Sequence, residues 1–411
     1  MLLLSREHCV QSDKNDPLAS FRDEFSLPDG MVYMCGNSLG AMPKKAAAIA
    51  QQTIVEEWGN SLVKSWNTHQ WFTLTTRLGG LIAQTIGAEQ NEVVMTDSTS
   101  INVFKVLTAA LSLKPKRKKI LMEGSNFPTD NYIAQGILQL KDYYEIVFVE
   151  EDKLLQNIDE SVAVVCLTHV HYKTGRVLDM HKITQLCHDK GAVVVWDLCH
   201  SAGAMPVNLN GCKADFAVGC TYKYYNGGPG SPAFIFAASR HHGKALQPLT
   251  GWWGHAAPFA FERDYRPAES IVQMQTGTQP IISLKVAEAG LEMMARADMQ
   301  QIRTKSLALG DLFLKLLHQY CTGFDFEVMS PMDLRRGSQI ALRHPQGYAI
   351  MQALIDAGVV GDFRAPDVLR FGFTPLYLRY VDVWDAVMQL RDIMTEGRWQ
   401  HPRYQQRHAV T

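Results

Sequence analysis

The 411-residue chain lacks most of what marks a specialised environment. Its eight cysteines include no C-x-x-C pair and form no cluster, and Cys166 and Cys220 sit within apolar runs. That pattern argues against a disulfide framework and points to reduced thiols in the cytoplasm. No apolar run approaches the roughly 20 residues of a membrane span. The opening "MLLLSREHCV" holds too few apolar residues for a signal-peptide core. Neither sign of charge is in excess: 40 Lys and Arg stand against 41 Asp and Glu, a net −1. Nothing electrostatic therefore calls for nucleic acid or a membrane as partner. The one basic run, "KPKRKK" at 114–119, lies between a helical pattern and a strand-like one and reads as a solvated turn. There is no internal repeat and no low-complexity linker. What remains is 46% hydrophobic and 20% charged, an ordinary globular composition with chain enough for two or three domains.

The apolar residues fall into short runs separated by amphipathic stretches. A helical pattern opened by Pro43 covers 43–64. Strands are expected at "NEVVMTD" (91–97), "KKILMEG", "EIVFVE", "AVVCLTHV" (163–170), "AVVVWD" (192–197), "ADFAVG" (214–219) and "PAFIFAA" (232–238). Helices are expected at 98–111, after Phe127, and at 178–191, where a glycine closes the pattern. Apolar strands alternating with helices predict an α/β fold, a buried and mostly parallel sheet covered on both faces. Past about 283 the texture changes to long helices with the shorter strands "SQIALR" and "VLRFGF", as in a smaller α+β domain. The expected organisation is an N-terminal arm over 1–42, a large domain over 43–282 and a small C-terminal domain over 283–411.

In such sheets ligands bind at the carboxyl ends of the strands, so the residues that follow each strand matter most. "TDSTSIN" offers hydroxyls and free N–H groups at a helix start, which suit a phosphate, although Ser/Thr caps open most helices. Asp197 and His200 follow the strand "AVVVW" in "DLCHSAGA". Asp197 is either a functional carboxylate or a turn cap, and His200 either a ligand or a satisfied core histidine. "CTYKYYNGGPGSP" (220–232) sets Lys223 among three tyrosines before a Gly- and Pro-rich turn. Lys223 is either a surface lysine above packed rings or a nucleophilic amine. His169 and His171 would face one side of a strand, but no third ligand stands at matching spacing and no metal is expected. Taken together, the lysine, the strand-end carboxylate and the hydroxyl-rich helix start are what pyridoxal 5'-phosphate requires. The lysine forms a Schiff base with its aldehyde, the carboxylate keeps its ring nitrogen protonated, and the helix start binds its phosphate.

At these residues the chain resembles the kynureninases, members of the aspartate-aminotransferase (fold type I) superfamily. The resemblance runs nearly end to end, through "GNSLG" (36–40), "DSTSIN" (97–102), "NFPTDNY" (126–132), "HVHYKTG" (169–175), "WDLCHSAGA" (196–204), "CTYKYYNGGPGSPAF" (220–234), "GWWGH" (251–255) and "LRFGFTPLY" (369–377). It implies a PLP-binding large domain and a smaller C-terminal α+β domain. It implies that Lys223 carries the cofactor, Asp197 holds the pyridinium N–H and Phe127 lies against the ring. Thr99, Ser100 and Tyr222 would serve the phosphate, and Asp130 and His200 would line the cofactor's polar side. Trp252 and Thr278 would reach in from the second subunit of a homodimer. Arg370 would grip the substrate α-carboxylate, unless it serves a domain-interface salt bridge. Tyr222 is also the candidate acid for a late proton step.

The implied reaction is hydrolysis of the Cβ–Cγ bond of L-kynurenine, or of 3-hydroxykynurenine, to the corresponding anthranilate and L-alanine, in tryptophan breakdown. Trp66, His69 and Trp71 are either contributors to an aromatic pocket or core packing. Some relatives carry Ser-Asn where this chain has Gly277 and Thr278, a pair that bears on the choice between the two substrates. The alternatives are a cysteine desulfurase or other class V aminotransferase relative, and a binding or regulatory module on the same fold. A desulfurase needs a cysteine on a mobile loop of the small domain. Cys321 is the sole cysteine after 280 and falls near the end of a helical pattern.

Overall fold

The structure is a computed structural model and describes residues 4–407. It divides into two compact units. The larger comprises Ala46–Tyr172 and Leu178–Ala295; the smaller comprises the chain up to Lys45, Lys173–Val177 and the chain from Arg296 onward.

Seven strands build the sheet of the larger unit: β1 (Val93–Met95), β2 (Lys119–Glu123), β3 (Glu145–Val149), β4 (Val162–Thr168), β5 (Val193–Asp197), β6 (Phe216–Gly219) and β7 (Phe234–Ala237). Their order is β1-β7-β6-β5-β4-β2-β3. Only β7 runs against its neighbours, β1 and β6; the remaining pairings are parallel. β4 to β7 are buried along their whole length. A strand covered on both faces has no polar side, so these segments read as continuous apolar runs. Alternate residues sort between the faces. Val164, Cys166, Val195 and Val218 share a core with Val103, Val106 and Leu107 of the helix Thr99–Ser112. Trp196 points the other way, and its indole N–H donates to Thr184 Oγ1 at 3.1 Å on the helix Met180–Asp189. Each fully buried Val, Leu or Ile contributes roughly 1.5–3 kcal/mol.

Local chemistry sets the helix ends. Ser98 caps Thr99–Ser112, its hydroxyl accepting from Ile101 N at 3.4 Å. Asp179 caps Met180–Asp189 in the same way through Lys182 N at 3.0 Å. The helical pattern expected over 43–64 is only partly regular. Pro43 lies in a short strand, Met42–Pro43, where its missing N–H is tolerated; the helix runs Lys45–Gln52 and widens into π-type turns over Thr53–Asn60. The basic run does form a turn, but Arg117 is half-buried and donates to the carbonyls of Val162 and Lys190, both at 2.8 Å.

The smaller unit holds a four-stranded antiparallel sheet in the order Glu327–Val328, Gln339–Arg343, Val368–Gly372, Asp362–Arg364. Its longer helices are Met299–Tyr320, Gly347–Asp356 and Tyr380–Glu396. The "GNSLG" and "LRFGFTPLY" motifs are two sides of one contact within this unit. A Cβ on Gly36 would lie 2.2 Å from Thr374 Oγ1, and one on Gly372 2.2 Å from Asn37 Oδ1. The division between units falls after Ala295, one helix later than the texture of the sequence suggested. The helix Ile281–Arg296 packs onto the larger unit because Gly290 admits the backbone of the Lys223 loop: a Cβ there would sit 2.1 Å from Tyr225 O.

Candidate active site

β1 runs in the same direction as β6, because β7 opposes both. The carboxyl ends of β1, β4, β5 and β6 therefore share one edge of the sheet, and the loops leaving that edge form a pocket. Its cavity volume is about 90 Å³, and it is lined by Thr99, Ser100, Phe127, Thr129, Asp130, Thr168, Tyr172, Asp197, Cys199, His200, Tyr222 and Lys223. Eight sequence-predicted residues thus meet in one place.

Asp197 is the last residue of β5, and its Oδ1 accepts from Cys199 N at 2.7 Å, which fixes the turn after the strand. Asp130 lies in the first turn of the helix Pro128–Leu140 and accepts from Asn126 Nδ2 at 3.0 Å. Both carboxyl groups are buried, at 2% and 5% exposure for Asp130 and Asp197. They lie close enough for the charge of one to act on the other. Burial and the adjacent Asp197 charge hold Asp130 well above the usual carboxylate range, against the opposing pull of Asn126 and Lys223. Two carboxyl groups brought together out of water suit a ligand that carries a cationic N–H.

Lys223 is half-buried, with Nζ at 2.9 Å from His200 Nε2 and 5.8 Å from the centre of the Tyr222 ring. Of the three tyrosines around it, only Tyr222 lines the pocket; Tyr224 and Tyr225 are core residues. The loop is held from within. Thr221 Oγ1 donates to Pro232 O at 2.6 Å, Gly227 N to Thr221 O at 2.9 Å, and Asn226 takes a left-handed φ of +56°. Burial pushes the Tyr222 phenol far up, so it stays protonated. Thr99 and Ser100 open the helix Thr99–Ser112, where backbone N–H groups without helical partners and the helix dipole favour an anion. Phe127 is 46% exposed and meets Tyr172 edge to face at 5.3 Å.

This constellation fits pyridoxal 5'-phosphate: an amine, a carboxylate pair for the ring nitrogen and a helix start for the phosphate, all on one edge. Thr129, Thr168, Tyr172 and Cys199 also line it. Two of the first three fall within quoted motifs, "NFPTDNY" and "HVHYKTG", and a strand-end position was the signal available for Thr168. Cys199 stood in "DLCHSAGA" but was read only as part of that motif. Its thiol is held well above its ordinary value by a hydrogen bond with Cys220 and by burial.

Other predicted residues lie elsewhere. Trp252, at 43% exposure, and Thr278, also exposed, line no part of the Lys223 pocket of their own chain. Arg370 belongs to the smaller unit, in the strand Val368–Gly372, and pairs there with Asp362: Nε donates to Oδ1 at 2.7 Å and Nη2 to Oδ2. Trp66 and Trp71 meet at 5.6 Å in an aromatic cluster with Trp253, and Trp71 Nε1 donates to Glu57 Oε2 at 2.7 Å. His69 lies 3.0 Å from Ser61 Oγ. His171 Nε2 donates to Ser125 O at 2.9 Å, and His169 packs against Trp196. Among the described residues no helix is long and apolar enough to cross a membrane.

Known proteins resemble this chain over nearly its whole length. Residues 302–390 match the family model described as the kynureninase C-terminal domain. The chain is 51% identical to a kynureninase of Burkholderia mallei (strain SAVP1), over 99% of this chain and 100% of that protein. It is 49% identical to a kynureninase of Pseudomonas fluorescens, over the full length of both. Among solved structures, a cysteine desulfurase from Thermococcus onnurineus NA1 superposes with a TM-score of 0.77 at 17% identity, over 92% of this chain and 98% of that one. A C-DES variant with glycine covalently linked to its PLP cofactor superposes with a TM-score of 0.77 at 16% identity, over 90% and 99%. At such identities the likeness shows the shared fold.

Proposed function

This chain belongs to the kynureninase family, and on that premise we infer that the Lys223 pocket binds pyridoxal 5'-phosphate and hydrolyses the Cβ–Cγ bond of L-kynurenine, giving anthranilate and L-alanine. The observation that carries the assignment of roles is the meeting of Lys223, the Asp130–Asp197 pair and the Thr99–Ser100 helix start on one sheet edge.

The cofactor, when bound, supplies a conjugated sink for the electrons released from the substrate. With the cofactor bound, Lys223 Nζ would hold its aldehyde carbon, and as a free amine it would take the substrate α-proton. His200 Nε2, at 2.9 Å, steadies that amine. Asp197, with Asp130 beside it, keeps the proton on the ring nitrogen. The N–H groups and hydroxyls at Thr99 and Ser100 anchor the phosphate, with Tyr222 alongside. Tyr222 lines the pocket beside Lys223 and is the candidate acid of the late proton step. Phe127 would lie against the ring, and the resemblance to kynureninases assigns Arg370 to the substrate α-carboxylate.

The active unit on this reading is a homodimer. Support comes from the exposed aromatic segment Trp252, Phe259 and Phe261, a surface that a second copy would cover. Trp252 and Thr278 then complete the partner's site. Mixing inactive Lys223→Ala protein with an inactive Trp252→Ala, Thr278→Ala variant should restore activity, because about half of randomly exchanged dimers carry one sound site. A lack of recovery despite proven subunit exchange would refute the shared site and leave Trp252 as a residue of its own chain alone. The eight free thiols support a reducing, cytoplasmic setting. A desulfurase role is disfavoured by Cys321, which is buried at the end of the helix Met299–Tyr320 with its thiol pushed up to about 12 by burial.

The deciding experiment is a product assay: purified protein with PLP and L-kynurenine should yield fluorescent anthranilate and equimolar alanine. Turnover of cysteine to alanine and sulfide without anthranilate would overturn the assignment.

A further inference from the structure

The turn that precedes the phosphate-facing helix is held by a buried lysine. Lys105 lies on that helix at 0% exposure, among core residues. Its ammonium donates to Asp97 Oδ2 at 2.6 Å and to Met274 O at 2.7 Å. A buried ammonium is costly unless paired, and here burial lowers its proton affinity while Asp97 opposes the shift. Asp97 itself takes a left-handed φ of +47°, uncommon for a residue with a side chain. Thr96 Oγ1 lies 2.8 Å from Asp97 Oδ2 and 3.1 Å from Gln279 Oε1, and Gln279 Nε2 donates to Gly277 O at 2.9 Å. The ammonium thus joins the turn before Thr99 and Ser100 to the 274–279 loop, which carries Thr278.

We propose that Lys105 and Asp97 are positioning residues for the phosphate end of the site: their buried pair fixes the turn at 96–98 and carries the Gly277–Thr278 turn in the same rigid piece. This rests on Thr99 and Ser100 serving the cofactor phosphate. Without the ammonium, Asp97 would keep a carboxylate beside an incoming dianion, and the turn would lose its tie to Met274.

The test compares PLP with pyridoxal, which lacks the phosphate, in titrations of cofactor-free protein. Wild-type protein should bind PLP the more tightly. Lys105→Met should weaken PLP by about ten- to a hundredfold, the size carried by outer-shell partners at metal sites, with pyridoxal little changed. Adding Asp97→Asn should recover part of the loss by removing the stranded charge. Equal weakening of both ligands, or an unchanged PLP-to-pyridoxal ratio, would overturn the proposal. A wild type that does not distinguish the two ligands would remove the phosphate assignment and this inference with it. Lys105→Gln, which retains one donor group, serves where Lys105→Met does not fold, with the same outcomes.

Discussion

In the smaller unit Arg370, at 1% exposure, meets Asp362 through two hydrogen bonds, and Asp362 also accepts from Arg364 Nη2 at 3.0 Å. Lys305, buried in the same unit, lies 2.6 Å from Asp16. In the larger unit the two deepest carboxyl groups of the pocket, Asp130 and Asp197, meet each other. Opposite charges buried together satisfy one another, and breaking such a pair costs about 3–5 kcal/mol. Like charges buried together do not, and they hold a proton or wait for a cation. The first arrangement builds a fixed structure. The second builds a binding site, and substitutions should act on stability in opposite senses at the two places.

The largest expected effect is at the amine itself. Lys223→Ala should lower kcat by at least about 10⁴-fold, as removal of a reacting group does elsewhere. Borohydride reduction of the wild-type holoenzyme should fix the cofactor on the peptide containing Lys223; a label on another lysine would sink the assignment.

Next comes the like-charged pair. Asp197→Asn should cost about 10²–10³-fold in kcat, the scale of a preorganised electrostatic group, because an amide does not favour a protonated ring nitrogen. The cofactor-free protein should respond in the other direction. Asp130 has its folded proton affinity raised above the unfolded value by burial and by Asp197. Its stabilising share is therefore full below the ordinary carboxylate range near pH 4 and is lost as pH rises through its raised value. Replacing Asp197 relieves that loss, so the apo variant should melt above apo wild type at pH 8, and the gap should close toward pH 4. Near-normal turnover, or a melting difference independent of pH, would break the comparison.

Legibility followed the same division. β4 to β7 were readable because burial on both faces leaves uninterrupted apolar runs, and Lys223, Asp197 and Thr99 were readable because each follows a strand or opens a helix. The contact of Asp130 with Asp197 was not readable, since it depends on how a helix start and a strand end lie in space. Lys105 was not readable for a different reason: one charge inside "INVFKVLTAAL" does not say whether it faces water or a buried partner, and the partner here comes from outside the helix. The irregular turns at 53–60 keep helical spacing of apolar residues, so the pattern did not reveal them.

The opposite-charged pair should give a smaller catalytic effect and a larger structural one. Arg370→Lys should raise KM by about ten- to a hundredfold, the loss of one charge-assisted hydrogen bond. Asp362→Asn should lower stability by about 3–5 kcal/mol, because it strips a buried guanidinium of its charge partner. Chemical denaturation checks the second. An unchanged KM for kynurenine would leave Arg370 with a structural role alone.

The smallest effect concerns substrate choice, at a position with no buried charge at all. Nothing lies within 4 Å of where a Cβ on Gly277 would stand, and Thr278 is exposed. Gly277→Ser with Thr278→Asn therefore introduces the pair carried by some relatives without a collision inside the chain. On the shared-site reading, this turn faces the substrate ring in the partner's site. A new hydroxyl and amide there can hydrogen-bond a ring hydroxyl, and one such bond is worth about 0.5–1.5 kcal/mol net. The ratio of kcat/KM for 3-hydroxykynurenine over kynurenine should rise by about three- to tenfold, with melting temperature unchanged. A shift in that ratio made by the same substitutions in a chain that also carries Lys223→Ala, assayed in mixed dimers with wild-type chains, would show that the turn acts across the interface, since the doubly altered chain has no working site of its own. A ratio that moves only when both lie in the chain with the working lysine would place the turn in its own site and leave the two kinds of buried charge as features of a single chain.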